Sequence, residues 1–190
     1  MATFTALYDS CVFYPAALRD LLMELALTDL YRAKWTDKIH DEWTSSLINK
    51  NPKVTKEKLD KTRELINLYA RDALITDYED FIGAISLPDP NDRHVLAAAI
   101  HGRADVIVTY NLKDFPKENL SMHNIEAQHP DDFLIHLLDL ASPQVCTSIK
   151  TVRSRLKSPT LSADEYINIL EQKHKLPKFC SGLRAFKELV

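Results

Sequence analysis

Residues 105–109 read DVIVT, and with the following YNLKDF they form the stretch on which the fold turns. A continuous β-branched run with no polar alternation marks a strand covered on both faces, as in a parallel sheet. The flanking sequence extends that reading. LPDPNDRHVLAAAI, residues 87–100, passes through a Pro- and Asp-rich turn into a helix expected over 92–101 and closed by Gly102. Nearer the start, FTALYD (4–9) is a short buried strand ending in an acid. A helical stripe of Leu18, Leu21, Leu22, Leu25 and Ala26 follows Pro15, and Thr36 is placed to cap a helix over 37–49 with Ile39, Trp43 and Leu47 on one face. A further helix over 55–71, a short strand at 72–76, a short helix at 78–85, a strand near 124–127 and a helix over 130–140 complete the pattern. Strands alternating with helices predict an α/β fold with a small parallel sheet flanked by helices.

Past Pro143 the character changes: two or three helices follow with no strand signal, and Ser162 with Glu165 forms a capping box. The expected organisation is a domain over residues 1–141 and a helical C-terminal extension over 142–190. Charge follows the same division. Residues 142–190 hold nine Lys/Arg against four Asp/Glu, although the whole chain of 190 residues carries a net charge of −3. That basic end suits an acidic or polyanionic partner, or simply solvated helices.

Several classes are excluded early. Three glycines leave neither a G-x-G-x-x-G nor a G-x-x-x-x-G-K-[ST] phosphate loop. Cys11, Cys146 and Cys180 are far apart with no C-x-x-C pair, which suits a reducing compartment and offers no zinc site. No basic-then-apolar leader opens the chain, and no run approaches the ~18 apolar residues of a membrane helix. The expectation is a soluble, cytoplasmic protein with no membrane association.

The acids point to chemistry. Ligands of a parallel sheet bind beyond the carboxyl ends of its strands. Asp9 ends the first strand, Asp89 and Asp92 lie in the loop and first turn before a helix, and Asn111 and Asp114 follow DVIVT. On the 37–49 helix, at ~100° per residue, Glu42 flanks the buried face whereas Asp41 points to solvent. Carboxylates converging from such distant positions repel one another unless a cation neutralises them. Oxygen donors without His or Cys companions select Mg²⁺ or Mn²⁺, ions that activate water and stabilise charge on a phosphoryl group. Each acid also has a plain structural role open to it. Asp92 can cap its helix, Asp89 can shape a turn, and Glu42 can be a solvated surface residue; only Asp9 has no cap that the pattern requires.

Taken together, LYDSCVFYP around Asp9, WTDKIHDEW around Glu42, LPDPNDRHVLAAAI around Asp92 and IVTYNLKDF resemble the PIN domain, most closely the VapC-type toxins of bacterial toxin–antitoxin pairs. The resemblance spans about residues 3–140. It implies a three-layer fold and an Mg²⁺- or Mn²⁺-dependent endoribonuclease whose acidic site is blocked by an antitoxin protein, in a chain that forms a homodimer. Carried onto this sequence, Asp9, Glu42 and Asp92 match the metal-holding acids. Asn111 occupies the fourth position and brings an amide oxygen without charge, and Asp114 follows in N-x-x-D-F. Thr109 is placed to orient ligands or water, and Asp89 to support from outside. Arg93, Lys113 and Lys117 are candidates for RNA phosphate contacts. The tail resembles the extension of a larger VapC-like subgroup, with Lys150, Arg153, Arg155 and Lys157 available to RNA, to an acidic antitoxin segment or to solvent alone.

Two other functions remain in view. Asn111 prompts a PIN-like module that binds RNA or protein without cutting. A small-molecule phosphatase is the third, but no nucleophilic D-x-D follows the first strand.

Overall fold

A computed structural model describes residues 4–190. In chain order the elements are β1 (Thr5–Tyr8), α1 (Ser10–Phe13), α2 (Ala16–Ala26), β2 (Arg32–Thr36), α3 (Asp37–Lys50), α4 (Lys56–Tyr69), β3 (Leu74–Ile75), α5 (Arg93–His101), β4 (Val106–Val108), α6 (Lys117–Leu120), β5 (Glu126–Gln128), α7 (Pro130–Arg155), α8 (Ala163–His174) and α9 (Pro177–Leu183). Short 3-10 turns cover Glu79–Ala84 and Pro90–Asp92. Contacts divide the chain into two units. One comprises residues 4–14 and Tyr31–His129, and the other Pro15–Leu30 and Pro130–Val190.

The first unit is built on a five-stranded parallel sheet of order β3-β2-β1-β4-β5. The α/β parallel-sheet expectation is met, with β1 and β4 as its buried centre and helices α3 and α5 packed on β2 and β4. β2 was not anticipated. Its residues RAKWT interrupt the apolar run with Arg32 and Lys34, yet Ala33 and Trp35 are buried, so the period-2 alternation of a half-covered strand was present in the sequence. Trp35 and Trp43 pack with Tyr8 and Phe13, the Phe13 ring standing edge-on to Trp35 at 5.6 Å. Fully buried His40 ties this cluster together. Trp43 Nε1 donates to His40 Nδ1 at 2.9 Å, and Asn67 Oδ1 on α4 receives Trp35 Nε1 at 2.8 Å and lies 3.1 Å from His40 Nε2. Burial pushes the His40 imidazole down to about 4, so the ring is neutral near pH 7.

Gly102 closes α5 by a different route from the one glycine usually takes. Its φ is −77°, and the left-handed residue is Arg103 at φ 51°. A Cβ on Gly102 would stand 2.4 Å from Ile75 Cδ1, so the glycine serves close packing between the helix end and β3.

In the second unit α2 packs on α7 and α8, and α9 on α7. The expected helices 130–140 and beyond run together as α7, broken at Ala141 (φ −152°, ψ 58°), after which Pro143 stands in the first turn of the resumed helix. Contacts thus group residues 130–141 and the α2 segment with the C-terminal helices, whereas composition drew its boundary at 141. The capping box of Ser162 and Glu165 is formed at the start of α8. Among the described residues no helix is long and apolar enough to cross a membrane.

Candidate active site

Asp9 leaves the end of β1 at the middle of the sheet, 4% exposed, with its N–H donating to Val108 O on β4 at 3.1 Å. Both carboxylate oxygens are engaged. Oδ1 accepts Ser10 N–H at 2.6 Å, and Oδ2 accepts Thr109 Oγ1–H at 2.7 Å and Cys11 Sγ–H at 3.1 Å. Asp9 therefore also caps the single turn of α1, a role the sequence pattern did not require. Buried Thr109 in turn accepts the Asn111 N–H at 3.0 Å, which fixes the turn leaving β4. The backbone of Tyr110 donates to Cys11 Sγ at 3.2 Å. Burial, reinforced by the neighbouring Asp9, raises the Cys11 thiol and keeps it protonated as a donor.

Asp92 lies at the entry of α5 but makes no side-chain capping bond; it is Asp89 that turns the chain, accepting Asn91 N–H at 2.8 Å. Capping thus accounts for Asp89 and leaves Asp92 without that explanation. The half-buried Asp92 carboxyl is pushed up to about 6, first by burial, then by the charges of Asp9, Asp89, Asp114 and Glu42. After burial, the rise reflects repulsion among acids that arrive from four separate segments of chain.

Asp41 and Glu42 part as helix geometry predicts. Asp41 is exposed and pairs with Arg63 on α4 at 2.5 Å. Glu42 is partly covered, with Oε1 2.7 Å from Nε2 of buried His94 on α5. Asn111 is exposed at the turn after β4 and Asp114 half-buried beyond it. Lys113 and Lys117 are exposed nearby, Lys117 on the rim of a cavity of about 450 Å³ floored by Phe115, Leu120 and Ile125. Arg93 is half-buried, its Nε covered and without a partner among the described residues. Two of the C-terminal cations are committed internally: Arg153 donates to Leu161 O and Val190 O, and Arg155 pairs with Glu24 at 2.7 Å.

Cys11 and His94 were missed in the sequence. An isolated cysteine carries no spacing signal, but the imidazole of His94, set among the apolar residues of RHVLAAAIH, required a partner.

The donors suit a hard cation in kind: carboxylate oxygens and one amide oxygen, crowded enough that burial and neighbouring charge raise the Asp92 carboxyl. Among the described residues no three His, Cys, Asp or Glu side chains stand within reach of one ion. Mg²⁺ typically takes one or two carboxylates and fills its shell with water and phosphate oxygen, so such a site does not require a third carboxylate in contact.

Residues 5–113 match the PIN domain family and residues 130–185 the VapC50 C-terminal domain family. A protein of Mycobacterium tuberculosis named "Putative ribonuclease VapC50" is 56% identical over 107 residues, which cover 56% of this chain and 62% of that protein. The match thus spans less than two thirds of the relative's length. No solved structure matches.

Proposed function

The chain belongs to the PIN domain family, and from that premise we propose that it is a divalent-metal-dependent endoribonuclease, the toxin of a toxin–antitoxin pair acting in the cytoplasm. The observation that carries the reading is the convergence of Asp9, Glu42, Asp89 and Asp114 near enough to Asp92 for their charges to act on its carboxyl. A site built only for stability would have no reason to gather them. Of Asp9, Glu42, Asp92 and Asn111, one or two would bind Mg²⁺ or Mn²⁺ directly and the others through water, with Asp114 adding charge from the side. When bound, the cation offsets the repulsion of the acids and the charge of a scissile phosphate, and it makes water a stronger nucleophile.

The chain's own residues do the rest. Thr109 and Cys11 hold Asp9 in one orientation, so its free lone pairs face a fixed direction. Asp89 builds the turn that delivers Asp92. Lys113 and Lys117, exposed beside Asn111, bind the flanking RNA phosphates, and Arg93 does so from the start of α5. An antitoxin inhibits by filling the acidic site, and two copies of the chain form the working dimer.

The test is incubation of purified protein with a structured RNA, with Mn²⁺ or with chelator. Cleavage with the metal alone, lost in Asp92→Asn, is expected. Binding without cleavage under every metal condition would overturn the enzyme reading in favour of a non-cutting module.

A further inference from the structure

We propose that His94 is a positioning residue of the metal site, holding the Glu42 carboxylate in place from inside the protein; this rests on the ribonuclease reading. His94 is the second residue of α5 and 1% exposed, and its Nε2 stands 2.7 Å from Glu42 Oε1. The contact is a close polar approach rather than an in-line hydrogen bond, since neither ring nitrogen satisfies hydrogen-bond geometry. Nδ1 has no partner among the described residues. Burying an imidazole on a helix otherwise lined by Val95, Leu96 and alanines costs desolvation that an apolar residue would avoid. What the imidazole gains in exchange is Glu42.

The consequence for the site is geometric. The Glu42 side chain is 35% exposed, and a glutamate on a helix flank otherwise samples many rotamers in solvent. α5 presents Asp92 at its entry and His94 two residues later, so one helix sets two acids: Asp92 directly, and Glu42 on α3 through the imidazole. Groups that orient a metal-binding carboxylate from behind typically change metal affinity about 10–100-fold when removed.

Mn²⁺ titration calorimetry on the full chain tests the proposal. His94→Phe should weaken Mn²⁺ binding by about 10–100-fold, and His94→Gln, which keeps an N–H donor, should recover most of it. In a Glu42→Gln background His94→Phe should add no further loss. An equal loss in both backgrounds, or no loss from His94→Phe, overturns the proposal. Should His94→Phe fail to fold, the wild type supplies the answer. The His94 imidazole ¹⁵N resonances should shift on Mg²⁺ titration and cease to do so in Glu42→Gln; resonances indifferent to Mg²⁺ overturn it equally. A wild type that binds no Mn²⁺ removes the ribonuclease reading and this inference with it. Binding that needs Asp9 and Asp92 but ignores His94 removes this inference alone.

Discussion

Thr109 at the end of β4 donates its hydroxyl to Asp9 Oδ2 at 2.7 Å, joining two residues separated by 100 positions at the centre of the sheet edge. A hydroxyl that serves a buried carboxylate cannot be replaced by a methyl without leaving that oxygen short of a donor.

Thr109→Val, nearly isosteric, should therefore cost about 1–3 kcal/mol of folding stability in urea titration and lower RNA cleavage. Thr109→Ser should restore both. A valine variant as stable and active as the wild type would show that the hydroxyl has no hold on Asp9.

Asp92 makes a pH prediction whose sign is opposite to that of a salt-bridged acid. Its carboxyl, ordinarily near 3.8, is raised to about 6, so between those values the folded chain binds more protons than the unfolded one. Metal-free stability should fall as pH rises through that window and remain reduced above it. Asp92→Asn removes the cost, so in chelator it should melt above the wild type at about pH 7.5, with the gap closing toward pH 4. Added Mn²⁺ should raise the wild-type melting temperature more at about pH 7.5 than at pH 5, because the ion competes with the proton. Parallel melting curves for the two proteins at all pH values would contradict the crowding of the acids.

Gly102 gives a packing prediction. An added Cβ meets Ile75 Cδ1 at 2.4 Å and Ala98 O at 3.0 Å, so Gly102→Ala should destabilise by about 1–3 kcal/mol. Shortening the obstructing side chain in Gly102→Ala/Ile75→Val should recover part of it, since the main clash is with that terminal methyl. Thermal denaturation of the single and double variants reads the difference directly.

The sheet centre was legible because residues 6–8 of β1 and all of β4 are uninterrupted apolar runs, and buried strands of a parallel sheet have no polar face to maintain. β2 escaped because Arg32 and Lys34 keep water on one side, which breaks the run but preserves the alternation. The separation of Asp41 from Glu42 followed from 100° per residue and the position of Trp43. His94 and Cys11 could not be assigned in the same way. Their meaning lies in partners 52 residues away at Glu42 and 98 away at Thr109, contacts that periodicity along the chain does not encode. Asp92 illustrates the middle ground: its segment was readable as a helix entry, but the missing capping bond and the field of four other acids required the fold.

The central claim is that acids from β1, α3 and the α5 entry serve one divalent ion. Anomalous diffraction from crystals grown with Mn²⁺ tests it most directly. The predicted result is a manganese peak touching Asp9 and Asp92, directly or through one water, and absent from Asp92→Asn crystals. Manganese bound only elsewhere, or no peak at saturating Mn²⁺, would contradict it.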